Sequence, residues 1–580
     1  MPPQGVRTLV LLGLAVLLRI ALAYQRPLGV DDVFSLAMAT GHSLEHPAAE
    51  ANPRLGDYVE WPGAELPALY RRYIEHERPP ASAQRVVRAV LLSDTSPPLY
   101  YLLLHGWTRA LGTSDTALRC FSVFWALAAL PLLWLLGRHL GGNQTALSAC
   151  VLYAFAPVSL YYSVEGRMYS LLWFLTLALA WGTVELQRRG PRPWWALLWC
   201  VAGSAGLLTH YFFAFVWIAC ITWLIMYPGR LRRSSLLALL GVAALLTLPW
   251  YRLLPESFSR WRVSGQWLYG DPISWRYRIK APIKLAWSLL ASFGDWDGSK
   301  SADRLTAALF LLLGLGWARR GMKSLFSPPY GLLWLWLAAA CLGPLAFDLV
   351  RGTDTASVAR YALPGMPAAM LLAAVGLGQI GPRARLVFLA LILATWAPGI
   401  RAVFTFPSRS WEPLSQVGTR LAAWGDASDL IIVHSIPSGV LGIARYMHGS
   451  APILSWVGQL HQRRVPSDLV RALEARRKVA LVKIVDIGEP APEEIWLRQH
   501  ANLTGEDSLR GAQVFYFAPG RGDAFPSASA SGPRPDPPGL VPRLGIATVR
   551  PMPLKPERIE LREGPEFPRR AGRYPARRRT

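Results

Sequence analysis

The chain reads as a mainly α polytopic membrane protein carrying a small C-terminal extracytoplasmic α/β domain, and three observations predict it. Apolar stretches of roughly 17–20 residues, enough to cross a ~30 Å hydrocarbon core, recur along the first 405 of its 580 residues. The short loops 138–144, 187–193, 228–234, 319–328 and 381–385 carry Arg and Lys but no Asp or Glu. After residue 405, helix-like pieces alternate with short apolar runs, the pattern of a small sheet domain. A hydrophobic content of 52% with 25 Trp is far from that of an ordinary soluble domain.

Along the chain, the first span is Val6–Tyr24; its -LAYQRP- exit is a poor cleavage site, so it reads as an uncleaved anchor. Further spans fall at 118–137, 145–163, 168–186, 194–210, 211–227, 234–253, 304–318, 329–349, 361–380 and 385–402, about 11 in all. Positive loops stay cytoplasmic, so the N-terminus is inside and the C-terminus outside. Residues 26–117 form a first extracytoplasmic loop that includes an exposed basic helix-like run, LPALYRRYIEHERP. It ends in 97–112, too short to span and carrying His105 and Arg109, which reads as an amphipathic helix at the outer interface. A second outer loop, 254–303, is rich in Trp, Arg and Tyr suited to the head-group layer. The expected domains are 1–405 in the membrane, 406–519 as the α/β domain, and a Pro/Arg-rich tail at 520–580 that is expected to be disordered.

Composition also excludes. The formal charge of +24 sits largely in cytoplasmic loops and the tail, with no soluble basic face interleaved with aromatics, so membrane lipids rather than nucleic acid are the expected partners. Cys120, Cys150, Cys200, Cys220 and Cys341 all fall inside spans, which argues against a disulfide framework or a cysteine metal site. No Gly-rich loop opens a helix of the C-terminal domain, so no nucleotide site is expected there.

Acidic residues collect on the opposite face from the Arg-rich loops: Asp31, Asp32, Asp94, Glu165, Asp295, Asp297, Asp348 and Asp354. Asp31 and Asp32 follow the first span by a few residues; Asp32 would also serve as the N-cap of a short helix. Asp94 precedes Pro97-Pro98. A carboxylate on this loop can deprotonate an acceptor nucleophile or hold a divalent cation, and the sequence leaves open whether such a cofactor takes part. Glu165, Arg167 and Tyr169 lie in a turn between two spans, where ionisable groups are functional candidates, or where Glu165 and Arg167 simply pair with each other. His210-Tyr211 joins two further spans, and Arg360-Tyr361 opens another.

Taken together, Asp31-Asp32, Asp94-Thr-Ser-Pro-Pro-Leu-Tyr-Tyr, Tyr162-Ser-Val-Glu-Gly-Arg-Met-Tyr, Thr209-His-Tyr-Phe and Ala359-Arg-Tyr-Ala-Leu-Pro resemble, in order from about 7 to 405, the bacterial members of glycosyltransferase family 39. Those are related to protein O-mannosyltransferases and to the aminoarabinose transferase of lipid A. The resemblance implies the GT-C fold, a sugar donor carried on polyprenyl phosphate, and residence in the bacterial inner membrane. Asp31 then matches the first-loop catalytic aspartate and Asp94 the second acidic position. Two departures stand out: the acid pair is Asp-Asp where Asp-Glu is common, and Ser96 occupies a position often held by His or Lys.

The implied chemistry suits the layout. Arg167, His210 and Arg360, with Lys280 and Lys284 as weaker candidates, would face the donor phosphate. Asp31 would activate the acceptor hydroxyl for an inverting displacement. The competing readings are a lipid or solute transporter, disfavoured because the ionisable groups sit at span ends rather than at the midplane, and an oligosaccharide ligase, disfavoured by the acidic first loop.

Overall fold

The computed structural model describes residues 4–46, 51–94, 96–255, 274–292, 300–319, 326, 328–405, 412–520 (without 461, 486 and 489) and 525. Asp295, Asp297, most of the second outer loop and nearly all of the tail lie outside the described residues. Each expected span has its helix: α1 at Gln4–Gln25, then the spans within Asp115–Phe155, and Tyr169–Arg189, Pro193–Leu207, Phe213–Met226, Arg233–Tyr251, Lys300–Ala318, Pro328–Arg351, Met366–Gly378 and Pro382–Thr405. By length and apolarity, seven described helices are able to cross a membrane, or eight if a bent pair at the N-terminus counts as one span.

The difference from eleven has local causes. The 41-residue run Asp115–Phe155 holds two expected spans joined at Gly141 and Gly142, whose backbone leaves the helical region, Gly142 at φ 77°. A Cβ on Gly137 would come within 2.7 Å of the Ala146 backbone, so the two halves fold back tightly on each other. Pro193–Leu207 and Phe213–Met226 have 15 and 14 residues, short for a span.

The bent pair sets up the first long loop. After α1, Arg26-Pro27-Leu28-Gly29 cannot continue a helix, because Pro27 lacks an N–H and clashes with the preceding turn. The chain turns by 88° into α2, Val30–Ala39. Gly29, not Asp32, is the N-cap; Asp32 sits one turn in and reaches back to the Gly29 N–H at 2.9 Å. The first outer loop continues with α3 (Pro67–Arg71), α4 (Ala83–Ser93) and α5 (Leu99–Leu111). The basic run expected to be an exposed helix is instead α3 followed by a 3-10 turn, with Tyr70, Tyr73 and Ile74 buried. The α5 helix buries Tyr100, Tyr101, Leu104, His105 and Thr108 along one side, the amphipathic pattern expected of 97–112.

Beyond the bundle lies a five-stranded sheet in the order β2-β1-β3-β5-β4. Strands β1 (Leu430–His434), β2 (Ile453–Trp456) and β3 (Val479–Ile484) are parallel and fully buried; β5 (Ala512–Ala518) and β4 (Asn502–Leu509) add on antiparallel. The first outer loop is stitched to the β2 edge. Glu65 and Ile453 exchange backbone hydrogen bonds at 2.9 and 2.7 Å, and the Tyr70 hydroxyl donates to the Ile453 carbonyl at 3.0 Å. Loop and sheet therefore form one body on one side of the bundle.

Candidate active site

The site is assembled where α2 meets the ends of the spans. Its frame is Arg119, fully buried at the start of the Asp115–Phe155 helix. The guanidinium donates to the carbonyls of Arg26 (2.7 Å), Pro27 and Val164, and to Asp32 at 2.7 Å. Asp32 accepts in addition from the Gly166 N–H at 2.6 Å. One buried ion pair thus ties the α1 exit, the α2 start and the turn at 163–168 together. Asp32 faces this frame, not open space.

Asp31 points the other way. It is partly exposed and accepts from Arg360 at 3.0 Å. Burial acts to raise its carboxyl, but the nearby charges of Arg167 and Arg360 outweigh that and hold it below the ordinary carboxylate range. Arg360 is delivered by the 3-10 turn Ala359–Gly365, which follows a loop caged by Asp348. The Asp348 carboxylate accepts from Thr353 and Thr355 hydroxyls at 2.7 and 2.6 Å and from the Thr355 and Ala356 N–H groups at 2.7 and 2.8 Å.

Arg167 comes from the turn before Tyr169–Arg189 and does not pair with Glu165. Its guanidinium donates to the Ser35 hydroxyl at 3.2 Å and to Tyr101 at 3.0 Å, lies 3.8 Å from Asp94, and leaves its Nε buried with no partner among the described residues. Asp94 ends α4, accepts from the Ser96 N–H at 3.0 Å, and also receives the Tyr101 hydroxyl. Glu165 turns away to Arg26 at 3.2 Å, whose guanidinium lies 4.1 Å over the Tyr161 ring. Burial, with the Asp32 charge beside it, raises the Glu165 carboxyl.

Tyr169 and His210 lie close enough to Arg167 and Arg360 for those charges to act on them. The Phe212 N–H donates to His210 Nδ1 at 3.1 Å, so the neutral ring carries its proton on Nε2. Tyr361 packs against Phe212 and His210 with ring centroids 4.9 and 6.2 Å apart. Tyr211 is turned outward to accept from the Trp250 indole at 3.1 Å. Contacts and nearby charges therefore connect Asp31, Asp94, Arg167, Arg360, Tyr169, His210 and Tyr361; Asp32 and Glu165 are engaged instead by Arg119 and Arg26, and Tyr211 by Trp250.

Three more groups belong here. Tyr101 bridges Asp94 and Arg167. Glu45 follows α2, and its carboxyl is pushed up to about 8 by burial and by the charges of Asp94 and Asp31. Glu412, near the start of the C-terminal domain, accepts from the Val30 N–H at 2.7 Å. Tyr101 lies within the Asp94-Thr-Ser-Pro-Pro-Leu-Tyr-Tyr motif; nothing in the local sequence marks Glu45 or Glu412. Among the described residues, no three His, Cys, Asp or Glu side chains converge to hold a metal ion, and Asp94 and Asp31 lie 3.8 and 3.0 Å from Arg167 and Arg360.

The family model for dolichyl-phosphate-mannose-protein mannosyltransferase matches residues 95–251, which carry Arg167 and His210. The fold is similar to that of ArnT from Cupriavidus metallidurans bound to undecaprenyl phosphate, with a TM-score of 0.55 over 92% of this chain and 100% of that one at 12% identity. The chain has the GT-C fold. The apo form of the same ArnT matches with a TM-score of 0.54 over 91% of this chain and 99% of that one, at 13% identity. No curated protein sequence matches significantly. In this GT-C chain, a multi-pass membrane protein, the candidate residues lie at helix ends and in the segments that join them.

Proposed function

We propose that this protein transfers a sugar from a polyprenyl-phosphate donor to an acceptor on the extracytoplasmic side of the bacterial inner membrane. The observation that carries the reading is the pairing of Asp31 with Arg360, beside Arg167, on a GT-C scaffold whose solved relative binds undecaprenyl phosphate. A lipid phosphate brings its negative charge to the membrane surface. The two arginines are charges able to meet it, and the Nε of Arg167, buried with no partner among the described residues, is a donor still to be used.

The same arginines hold Asp31 in its weakly basic ionised form. A phosphate that takes up their hydrogen bonds relieves that hold, and Asp31 becomes a stronger base only when the donor is in place. The acceptor oxygen then attacks the anomeric carbon as its proton passes to Asp31. The bond from that carbon to the phosphate oxygen breaks, and the electron pair leaves with the polyprenyl phosphate, inverting the centre.

Binding of undecaprenyl phosphate to the purified protein tests it. Arg167→Ala is expected to weaken binding at least tenfold, about 1.4 kcal/mol, while Arg167→Lys recovers part of the loss because an ammonium cannot make the two-pronged contact. Unchanged affinity with a lowered melting temperature would reject the phosphate role. Mass spectrometry of envelope glycolipids with and without the protein identifies the product.

A further inference from the structure

The helix bearing Asp31 begins with an unusual debt. The first N–H groups of any α-helix lack partners within it, and at α2 the N-cap is Gly29, which has no side chain to offer. Asp32 serves the Gly29 N–H. The Val30 N–H is served from the far end of the chain, by Glu412 Oε2 at 2.7 Å. Two residues earlier, the Leu28 N–H donates at 2.7 Å to the hydroxyl of Tyr446, which in turn donates to Asp115. Arg445 anchors the same corner on Asp115 at 2.7 Å. So the segment turning from α1 into α2 is gripped at Leu28 and Val30 by residues that follow the last span.

We propose that Glu412 and Tyr446 are positioning residues for transfer: the C-terminal domain holds the 28–30 backbone and thereby sets where Asp31 stands against the donor. The inference rests on the transferase reading given above. Geometry restricts the latch to this arrangement, since a Cβ on Gly29 would come within 2.7 Å of Glu412 Oε2. Glu412 is also half-buried beside other acids; burial, and then the charge of Asp31, push its carboxyl up to about 8. A protonated carboxyl still accepts the Val30 N–H through its carbonyl oxygen, so the contact needs an acceptor rather than a charge. That distinguishes it from a helix-dipole effect, which requires the anion.

The experiment uses the full-length protein in lipid nanodiscs and reads two quantities. Amide exchange of the peptide covering residues 28–36 reports the latch itself, with no need for activity. Glycolipid product formed in cells, together with undecaprenyl-phosphate affinity, reports its consequence. Glu412→Ala is expected to speed exchange in that peptide about tenfold or more. It should cut product roughly a hundredfold, as a misplacement near 1 Å does, while undecaprenyl-phosphate affinity moves less than about twofold. Glu412→Gln, which keeps an acceptor oxygen, restores both; Tyr446→Phe and Gly29→Ala loosen the same peptide. Unchanged exchange in Glu412→Ala would overturn the proposal, and so would a Gln variant that behaves like Ala. If wild-type protein neither binds undecaprenyl phosphate nor alters any glycolipid, the transferase reading fails, and the exchange data still judge the latch.

Discussion

Asp31 and Asp32 are neighbours in sequence, yet a helix turns about 100° per residue, and that alone sends them to opposite surroundings. Asp31 opens onto Arg360, whereas Asp32 is sealed against Arg119 and the Gly166 N–H. Asp31→Asn is therefore expected to remove about 10²–10⁴-fold of transfer, roughly 3–5 kcal/mol of barrier, with donor binding retained. For Asp32→Asn the expectation rises above the ~1 kcal/mol of a simple cap. Removing one partner of a buried ion pair strands the other, here Arg119, at about 3–5 kcal/mol of stability. Thermal unfolding and product yield measured on both variants separate the roles; a stable but inactive Asp32→Asn would show that the pair had been assigned the wrong way round. Glu45 supplies a pH test. Its folded carboxyl is raised to about 8, first by burial and then by Asp94 and Asp31, with Arg167 opposing. The native state therefore favours the protonated form; this contribution is full below the ordinary Glu range and fades as pH rises through about 8. Glu45→Gln is expected to flatten the decline of melting temperature between about pH 5 and 8; an unchanged slope would remove Glu45 as its source.

At the scale of elements, the site depends on segments that present side chains from span ends. The loop after Pro328–Arg351 is held by four hydrogen bonds to Asp348, and the next turn carries Arg360. Asp348→Ala removes the acceptors of all four bonds, so the cage cannot be remade. We expect weaker undecaprenyl-phosphate binding with Asp31 chemistry otherwise intact; wild-type affinity in this variant would show that the loop sets Arg360 without the cage. The spans were legible because a hydrocarbon core demands long apolar runs, and β1, β2, β3 and β5 because buried strands are apolar throughout. Strand β4, NLTGEDSL, was not: it is a largely exposed polar edge that exists only because β5 offers it a ladder. The motifs brought Asp31, Asp94, Arg167 and Arg360 to notice, while Glu45 and Glu412 escaped because their neighbours lie far off in sequence. The same distance hid the pairing of Glu165 with Arg26 rather than Arg167.

For the whole molecule, parity decides topology. The first outer loop bonds to the β2 edge through Glu65 and Tyr70, and Arg445 reaches back to Asp115, so residues 51–115 and 430–456 must share one side of the bilayer. An even number of crossings has to separate them. The expected spans between 118 and 402 satisfy this, and promoting α5 to a crossing would violate it, which is the structural reason for reading α5 as interfacial. The Arg-rich loops then decide which side is which, because positive charge is retained in the cytoplasm. Reporter fusions at Arg189 and Arg232 are accordingly expected to read cytoplasmic, and those at Tyr73 and Val465 extracytoplasmic. Opposite signals at Tyr73 and Val465 would contradict the contacts between loop and sheet. A cytoplasmic signal at both would keep those contacts but invert the molecule, placing Asp31 and its arginines on the face where the donor phosphate is not expected.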